Sequence, residues 1–325
     1  MYLIMIGLAI LAVFGTIGVV IAAMRAGISV RAWLVISAVP LAAPDLDTEA
    51  AMLRAIERDR AAGPGRPPKK ILKRYNFREE LQGADRCFRL SAKTGDTPLR
   101  TLYLHGGAYI LDVQAMQWKL AQGLLDRLGG EVVASIYPLA PEHGWQDSMD
   151  AIERVYLNLV GEAGAENIII LGDSAGGTLT LLLAQRLRDS GRPLPAALVM
   201  FSPCFDIGLS GRDQPAIEAI DPALTINFVR QAGKLWAKGL APTDPRVSPL
   251  YGRHDRLPPT IIFSGTRDIL DSDALRLAHL NPEVELRHYR NMIHVWPCAP
   301  IPEAEQALDE AASFITRALG TYRQG

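Results

Sequence analysis

The chain has 325 residues, of which 49% are apolar and 21% charged, and its formal net charge at pH 7 is −1. That length suffices for one large α/β domain with appendages. The balanced charge offers no basic surplus for nucleic acid and no acidic tail. Cys87, Cys204 and Cys298 are widely spaced, odd in number and without a CxxC pair. They indicate neither a zinc site nor a disulfide framework.

In chain order, residues 2–24 (YLIMIGLAILAVFGTIGVVIAAM) come first and carry no charged side chain. The run is long enough to cross a hydrocarbon core, which predicts a single-pass transmembrane anchor. A cleaved signal peptide would want a basic start, a shorter apolar run and an A-x-A site, none of which is clear. Arg25 and Arg31 flank the far side of the run. On those two residues the positive-inside rule puts the rest of the chain in the cytoplasm. The next apolar stretch, 32–44, is too short to span and contains Pro40. It suits an interfacial segment or part of a lid.

Residues 45–62 have helical spacing, with Asp45 or Asp47 as the N-cap. GPGRPPKK at 63–70 reads as a breaker and linker. The expected division is an anchor at 2–24, an N-terminal cap and linker at 25–69, and a catalytic domain at 70–325. Within that domain strands are predicted at KILKRYNF, RCFRLSA, LRTLYL, VVASIY, NIIIL, ALVMF, TIIFSG and VELRHY. Helical patterns such as MQWKLAQGLLDRL and TLTLLLAQRLRDS separate most of them. Apolar strands alternating with helices predict an α/β fold, with a mostly parallel sheet covered on both faces. The connection from ALVMF to TIIFSG is too long for an ordinary crossover, so 207–245 is expected to cross the sheet's C-terminal edge as a cap. Ligands bind at that edge in open α/β folds.

G-x-S-x-G occurs as Gly172-Asp173-Ser174-Ala175-Gly176, between NIIIL and an apolar helix. At such a junction it forms a nucleophile elbow, in which small neighbours permit a sharp turn that exposes the serine. A serine needs a base in hydrogen-bond reach, itself held by a carboxylate. His294 follows the last predicted strand, whereas His254, His279 and His288 fall in a polar loop, a helix and a strand. Asp268 closes TIIFSGTRD, and Asp271 and Asp273 open the next helix, where they read as N-caps. The order Ser174, Asp268, His294 is that of the α/β-hydrolase triad. Acyl transfer also needs backbone N–H groups at the developing oxyanion. Gly107 and Ala108 in HGGAY, with Ala175 and additionally Gly106, are the candidates. His105 suits a structural role in holding that loop.

With these residues in place, the sequence resembles the hormone-sensitive-lipase-like branch of the α/β-hydrolases, which includes bacterial family IV esterases, arylacetamide deacetylases and steryl acetyl hydrolases. The resemblance spans about residues 70–320 and rests on HGGAY, YPLAPEH, GDSAGG, SPCFD, DPRVSPL, GTRDIL and MIHVW in order. Two departures are Ala108 for the motif's third glycine and Pro138 where many members have arginine. The resemblance implies a carboxylic ester hydrolase without metal or cofactor, capped by the N-terminal segment and 207–245. It also implies that Glu142 and His143 organise loops below the site. An N-terminal anchor favours a small lipophilic ester that partitions into membranes. A lipase, lactonase or amidase would use the same triad, and a non-catalytic ligand-binding protein could share the fold. The sequence does not specify the ester, the acyl length or the oligomeric state.

Overall fold

The computed structural model describes residues 17–42, 46–93 and 97–322. Its centre is an eight-stranded sheet in the order β1-β2-β4-β3-β5-β6-β7-β8. The strands are β1 (Tyr75–Gln82), β2 (Asp85–Ala92), β3 (Arg100–Leu104), β4 (Glu131–Ile136), β5 (Ile168–Asp173), β6 (Ala197–Phe201), β7 (Thr260–Arg267) and β8 (Glu285–Ile293). β1 pairs with β2, and β2 with β4, in antiparallel fashion; every other pairing is parallel. The central strands are buried on both faces, which is why they read as unbroken apolar runs. Along β5 the faces alternate. Ile168 and Ile170 join the core with Leu102, Leu198 and Met200, while Ile169 and Leu171 join the other with Tyr103, Val199 and Phe201.

Helices α6 (Trp145–Ala163), α7 (Ala175–Asp189) and α10 (Asp271–Leu280) cover the first face. Helices α5 (Trp118–Leu128) and α11 (Pro302–Tyr322) cover the second. The long connection after β6 contains α8 (Gln214–Glu218) and α9 (Ile226–Ala237). α9 buries Phe228, Val229, Ala232 and Trp236 against the first core. Thr225 caps it by accepting from the Phe228 N–H at 3.2 Å.

The predicted strand at KILKRYNF is corrected. Its first half is helix α4 (Lys69–Arg74), and β1 begins only at Tyr75. The run of lysines and arginine offers a single buried side chain, Ile71, and Pro68 opens the helix without needing an N–H donor. The breaker before it is no free linker: the Gly65 N–H donates to Val113 O at 3.1 Å, and Trp118 Nε1 donates to Gly65 O at 2.7 Å.

Of the anchor predicted at 2–24, residues 2–16 lie outside the described residues. The remainder forms helix α1 (Ile17–Ala26), and the chain then bends by 93° into α2 (Val30–Ala42). Among the described residues no single helix is long and apolar enough to cross a membrane. The corner is tied to the body of the protein. Glu303 accepts from the Ser29 N–H at 2.6 Å and its hydroxyl at 2.9 Å, and Asn291 Nδ2 donates to Ala26 O at 2.7 Å. Helix α3 (Glu49–Ala62) follows, capped by Thr48 accepting from the Ala51 N–H rather than by an aspartate. Asp45 lies outside the described residues. Asp47 instead accepts from the Thr225 hydroxyl, and its backbone carbonyl accepts from Asn227 Nδ2 at 2.7 Å and Gln231 Nε2 at 3.1 Å. The N-terminal segment and α9 are thereby tied together.

Candidate active site

β5 ends at Asp173 and α7 begins at Ala175, leaving Ser174 alone on the turn with φ 54° and ψ −122°. A side chain rarely adopts positive φ, so the surroundings must hold it there. The Ser174 N–H donates to Phe201 O at 2.9 Å, and its carbonyl accepts from the Gly177 N–H at 2.9 Å. A Cβ on Gly176 would overlap the Leu104 carbonyl, and one on Gly172 would overlap the Gly176 carbonyl. These two glycines let the turn pass against β3 and back over itself.

His294 follows β8 and Asp268 follows β7, so both loops leave the sheet at the edge where Ser174 stands. The Ser174 hydroxyl donates to His294 Nε2 at 2.9 Å. His294 Nδ1–H donates to Asp268 Oδ2, also at 2.9 Å. This assignment of the ring proton follows from the carboxylate, which can only accept. Asp268 is 1% exposed, and its Oδ1 accepts from the Leu270 N–H at 2.9 Å. The histidine loop is held by Ser202, whose Oγ accepts from the Val295 N–H at 3.0 Å. Burial lowers the His294 pKa, but the charge and hydrogen bond of Asp268, with the charges of Asp221 and Asp173, leave it raised overall.

Asp271 and Asp273 do not cap α10. Asp271 reaches β8, where His288 Nε2 lies 2.9 Å away, and also accepts from the Ser264 hydroxyl. Asp273 accepts from the Phe205 and Asp206 N–H groups at 2.8 and 2.9 Å. Burial and the nearby Asp206 push its carboxyl up to about 7. His254 Nε2 is bonded to Leu250 O at 3.0 Å, away from Ser174. His279 sits in the last turn of α10.

After β3 the backbone turns through Gly107, Ala108 and Tyr109 at φ 125°, 53° and 64°. Gly107, Ala108 and Ala175 line the same cavity as Ser174 and His294. Among the described residues their N–H groups make no hydrogen bond. Gly106 differs, because its N–H donates to Asp173 Oδ1 at 3.1 Å. The inclusion of Gly106 among the oxyanion donors is therefore corrected: its donor is spent within the protein. Its bond has a use, since Asp173 also accepts from Tyr103 Oη at 2.6 Å and Gln117 Nε2 at 2.8 Å. This buried carboxylate fastens the glycine loop to the elbow. Sequence reasoning missed that role, although Asp173 adjoins the serine in the motif. His105 is fully buried, stacks on Tyr137 at 4.4 Å and lies with Nδ1 2.8 Å from Gly106 O. Below the loop, Glu142 accepts from Arg60 Nη2 at 3.1 Å, and the guanidinium holds its carboxyl below the usual range.

The cavity has a volume of about 400 Å³ and mostly apolar walls. Val39 from α2 and Leu46 line the cavity together with Leu224 and Phe228 from the connection after β6 and with Ile293 and Val295. Among the described residues no cluster of histidine, cysteine or carboxylate side chains could hold a metal ion. The three cysteines are free and buried.

A mostly parallel sheet with a serine at the β5–α7 turn and an imidazole bridging it to a buried carboxylate is the arrangement of an α/β hydrolase. Residues 101–298 match the family described as alpha/beta hydrolase fold. An esterase of Acinetobacter venetianus is 33% identical over 222 residues, covering 66% of this chain and 73% of its own. An acetyl-hydrolase of Streptomyces hygroscopicus is 32% identical over 227 residues, covering 67% and 76%. The crystal structure of an esterase from the bacterial hormone-sensitive lipase family superposes with a TM-score of 0.78 at 26% identity, over 90% of this chain and 99% of that one. The chain belongs to the α/β-hydrolase family, in its hormone-sensitive-lipase-like esterase branch.

Proposed function

We propose that the protein is a serine carboxylesterase that cleaves small lipophilic esters through an acyl-enzyme. The supporting observation is His294 standing 2.9 Å from both the Ser174 hydroxyl and the Asp268 carboxylate, at the wall of an apolar cavity. Relatives named esterase and acetyl-hydrolase support the same reaction class.

In this reading His294 Nε2 takes the Ser174 proton as Oγ attacks the ester carbonyl. Asp268 stabilises the imidazolium that results. The Gly107, Ala108 and Ala175 N–H groups receive the oxyanion, and collapse of the tetrahedral intermediate expels the alcohol, protonated by His294. Water then attacks the acyl-enzyme with His294 again as base, and the acid leaves Ser174. A cavity of about 400 Å³ suits short acyl groups on a lipophilic alcohol.

The test is a series of p-nitrophenyl esters from acetyl to palmitoyl with wild type and Ser174→Ala. The expected outcome is hydrolysis confined to short chains, with kcat reduced on the order of 10⁶ in the variant. Near-full activity in the variant would overturn the assignment of Ser174. Rates rising with chain length would make the protein a lipase instead.

We further propose that the protein works at a membrane, attached through its N-terminus, with the catalytic domain on the cytoplasmic side. Met24, Leu34 and Leu41 are 73%, 50% and 90% exposed on the two described N-terminal helices. Met24 closes the uncharged run that begins at residue 2, and Arg25 and Arg31 separate it from Leu34 and Leu41. Exposed apolar side chains next to arginines suit an interface with anionic headgroups. Protease added to intact cells would test the side: the catalytic domain is expected to be protected until the membrane is permeabilised, and cleavage in intact cells would overturn the orientation.

A further inference from the structure

Beside the triad stands an acidic side chain, Asp221, to which the mechanism gives no part. Asp221 lies in the turn between α8 and α9. One of its carboxylate oxygens accepts from the Ala223 N–H at 2.8 Å and the Leu224 N–H at 3.1 Å. The other accepts from the Ile269 N–H at 2.9 Å. Ile269 directly follows Asp268, whereas Ala223, Leu224 and Thr225 line the cavity. A second tie joins the same two segments, because Arg267 Nε donates to Ile220 O at 3.1 Å.

Asp221 thus holds the cavity wall and the loop carrying Asp268 as one body. Burial and the neighbouring Asp268 charge push its carboxyl up to about 6, and its own negative charge is one of those that raise His294. The charged groups around it are Asp268 and His294 from the two site loops, and Asp173 of the elbow also acts on His294. Glu218 of α8 is turned to the Ile226 N–H at 2.6 Å.

We propose that Asp221 is a positioning residue of the esterase, which locks the turn before α9 to the Asp268 loop and adds its negative charge to that of Asp268 near the imidazolium of His294. The proposal rests on His294 being the base. Because the free imidazole does the work, a charge that favours imidazolium also moves the acid limb of kcat/KM to higher pH. Removing that charge moves the limb to lower pH.

The experiment compares the pH profile of kcat/KM, and KM itself, for wild type, Asp221→Asn, Asp221→Ser and Asp221→Glu on one p-nitrophenyl ester. Asn and Ser keep an acceptor for the Ala223 and Leu224 N–H groups but lose the charge. In both, the acid limb is expected to fall on the order of half a pH unit, less than loss of a direct partner would give. KM is expected to rise as the wall loosens. Glu is expected to return the limb towards wild type. An unmoved limb in whichever neutral variant folds would overturn the proposal and leave Asp221 a scaffold residue. Its failure is distinct from failure of the esterase reading, which Ser174→Ala decides.

Discussion

Ser174 illustrates how much of an active site is backbone. Its positive φ is held because two glycines allow neighbouring chain segments to pass at distances no Cβ would tolerate. Gly176→Ala is therefore expected to destabilise the protein by about 3 kcal/mol, since the added methyl meets the Leu104 carbonyl rather than a yielding side chain. A urea titration would measure it; a change within error would mean that the elbow relaxes freely. The raised pKa of His294 has a defined sign. The base must be neutral, so activity is lost as pH falls through a value above that of an ordinary imidazole, and Asp268→Asn should move this limb downwards. A kcat/KM profile with its acid limb below the ordinary imidazole range would contradict the environment described. At this scale the sequence was highly legible where a motif encodes a steric need, as at Gly172 and Gly176. It was less legible at Gly106, because the fate of that N–H depends on Asp173, whose hydrogen-bond duties no spacing reveals.

Among the elements, the five central strands from β3 to β7 announce themselves because burial on both faces demands continuous apolar residues, whereas the edge strand β8 is only partly buried. The N-terminal edge is different. Lys69–Arg74 has helical residues of low apolar content, and only the placement of Ile71 and the turn at Pro68 separate helix from strand. Asp271 and Asp273 mislead for a related reason: a carboxylate opening a helix looks like a cap, yet both bond to other elements. Strand β2, next to the edge, is fastened by Arg89, whose side chain is 2% exposed and pairs with Glu131 of β4 at 2.7 Å and Glu162 of α6 at 2.6 Å. Truncating it strands carboxylates that the fold has partly withdrawn from water. Arg89→Ala is expected to cost about 3 kcal/mol, the low end for a broken buried pair because Glu162 still reaches solvent. A drop in the urea midpoint would register that loss, and an unchanged midpoint would assign the cluster no net role.

For the whole molecule, composition and alternation were enough to indicate a layered α/β sheet, but not the corner at Gly27–Ser29. An apolar run reads the same whether it continues straight or turns, and here the turn is set by Glu303 and Asn291 from distant parts of the chain. The exposed side chains on α1 and α2 give a prediction at this scale. The full chain should float with vesicles of phosphatidylcholine and phosphatidylglycerol, and Leu34→Asp with Leu41→Asp should weaken flotation without altering hydrolysis of a soluble ester. Equal flotation of both proteins would remove these helices from the interface.

The stitching of Asp47 to α9, together with Val39 in the cavity wall, bears on how the enzyme is handled. Apolar leaders are routinely cut away to improve the yield of a protein. Here a cut after residue 46 would remove two wall side chains, Val39 and Leu46, while a cut beyond Asp47 would also release α9 from its tether. A trimmed enzyme that accepts bulkier esters would then report the surgery rather than the native preference, so specificity is best measured on the uncut chain in detergent.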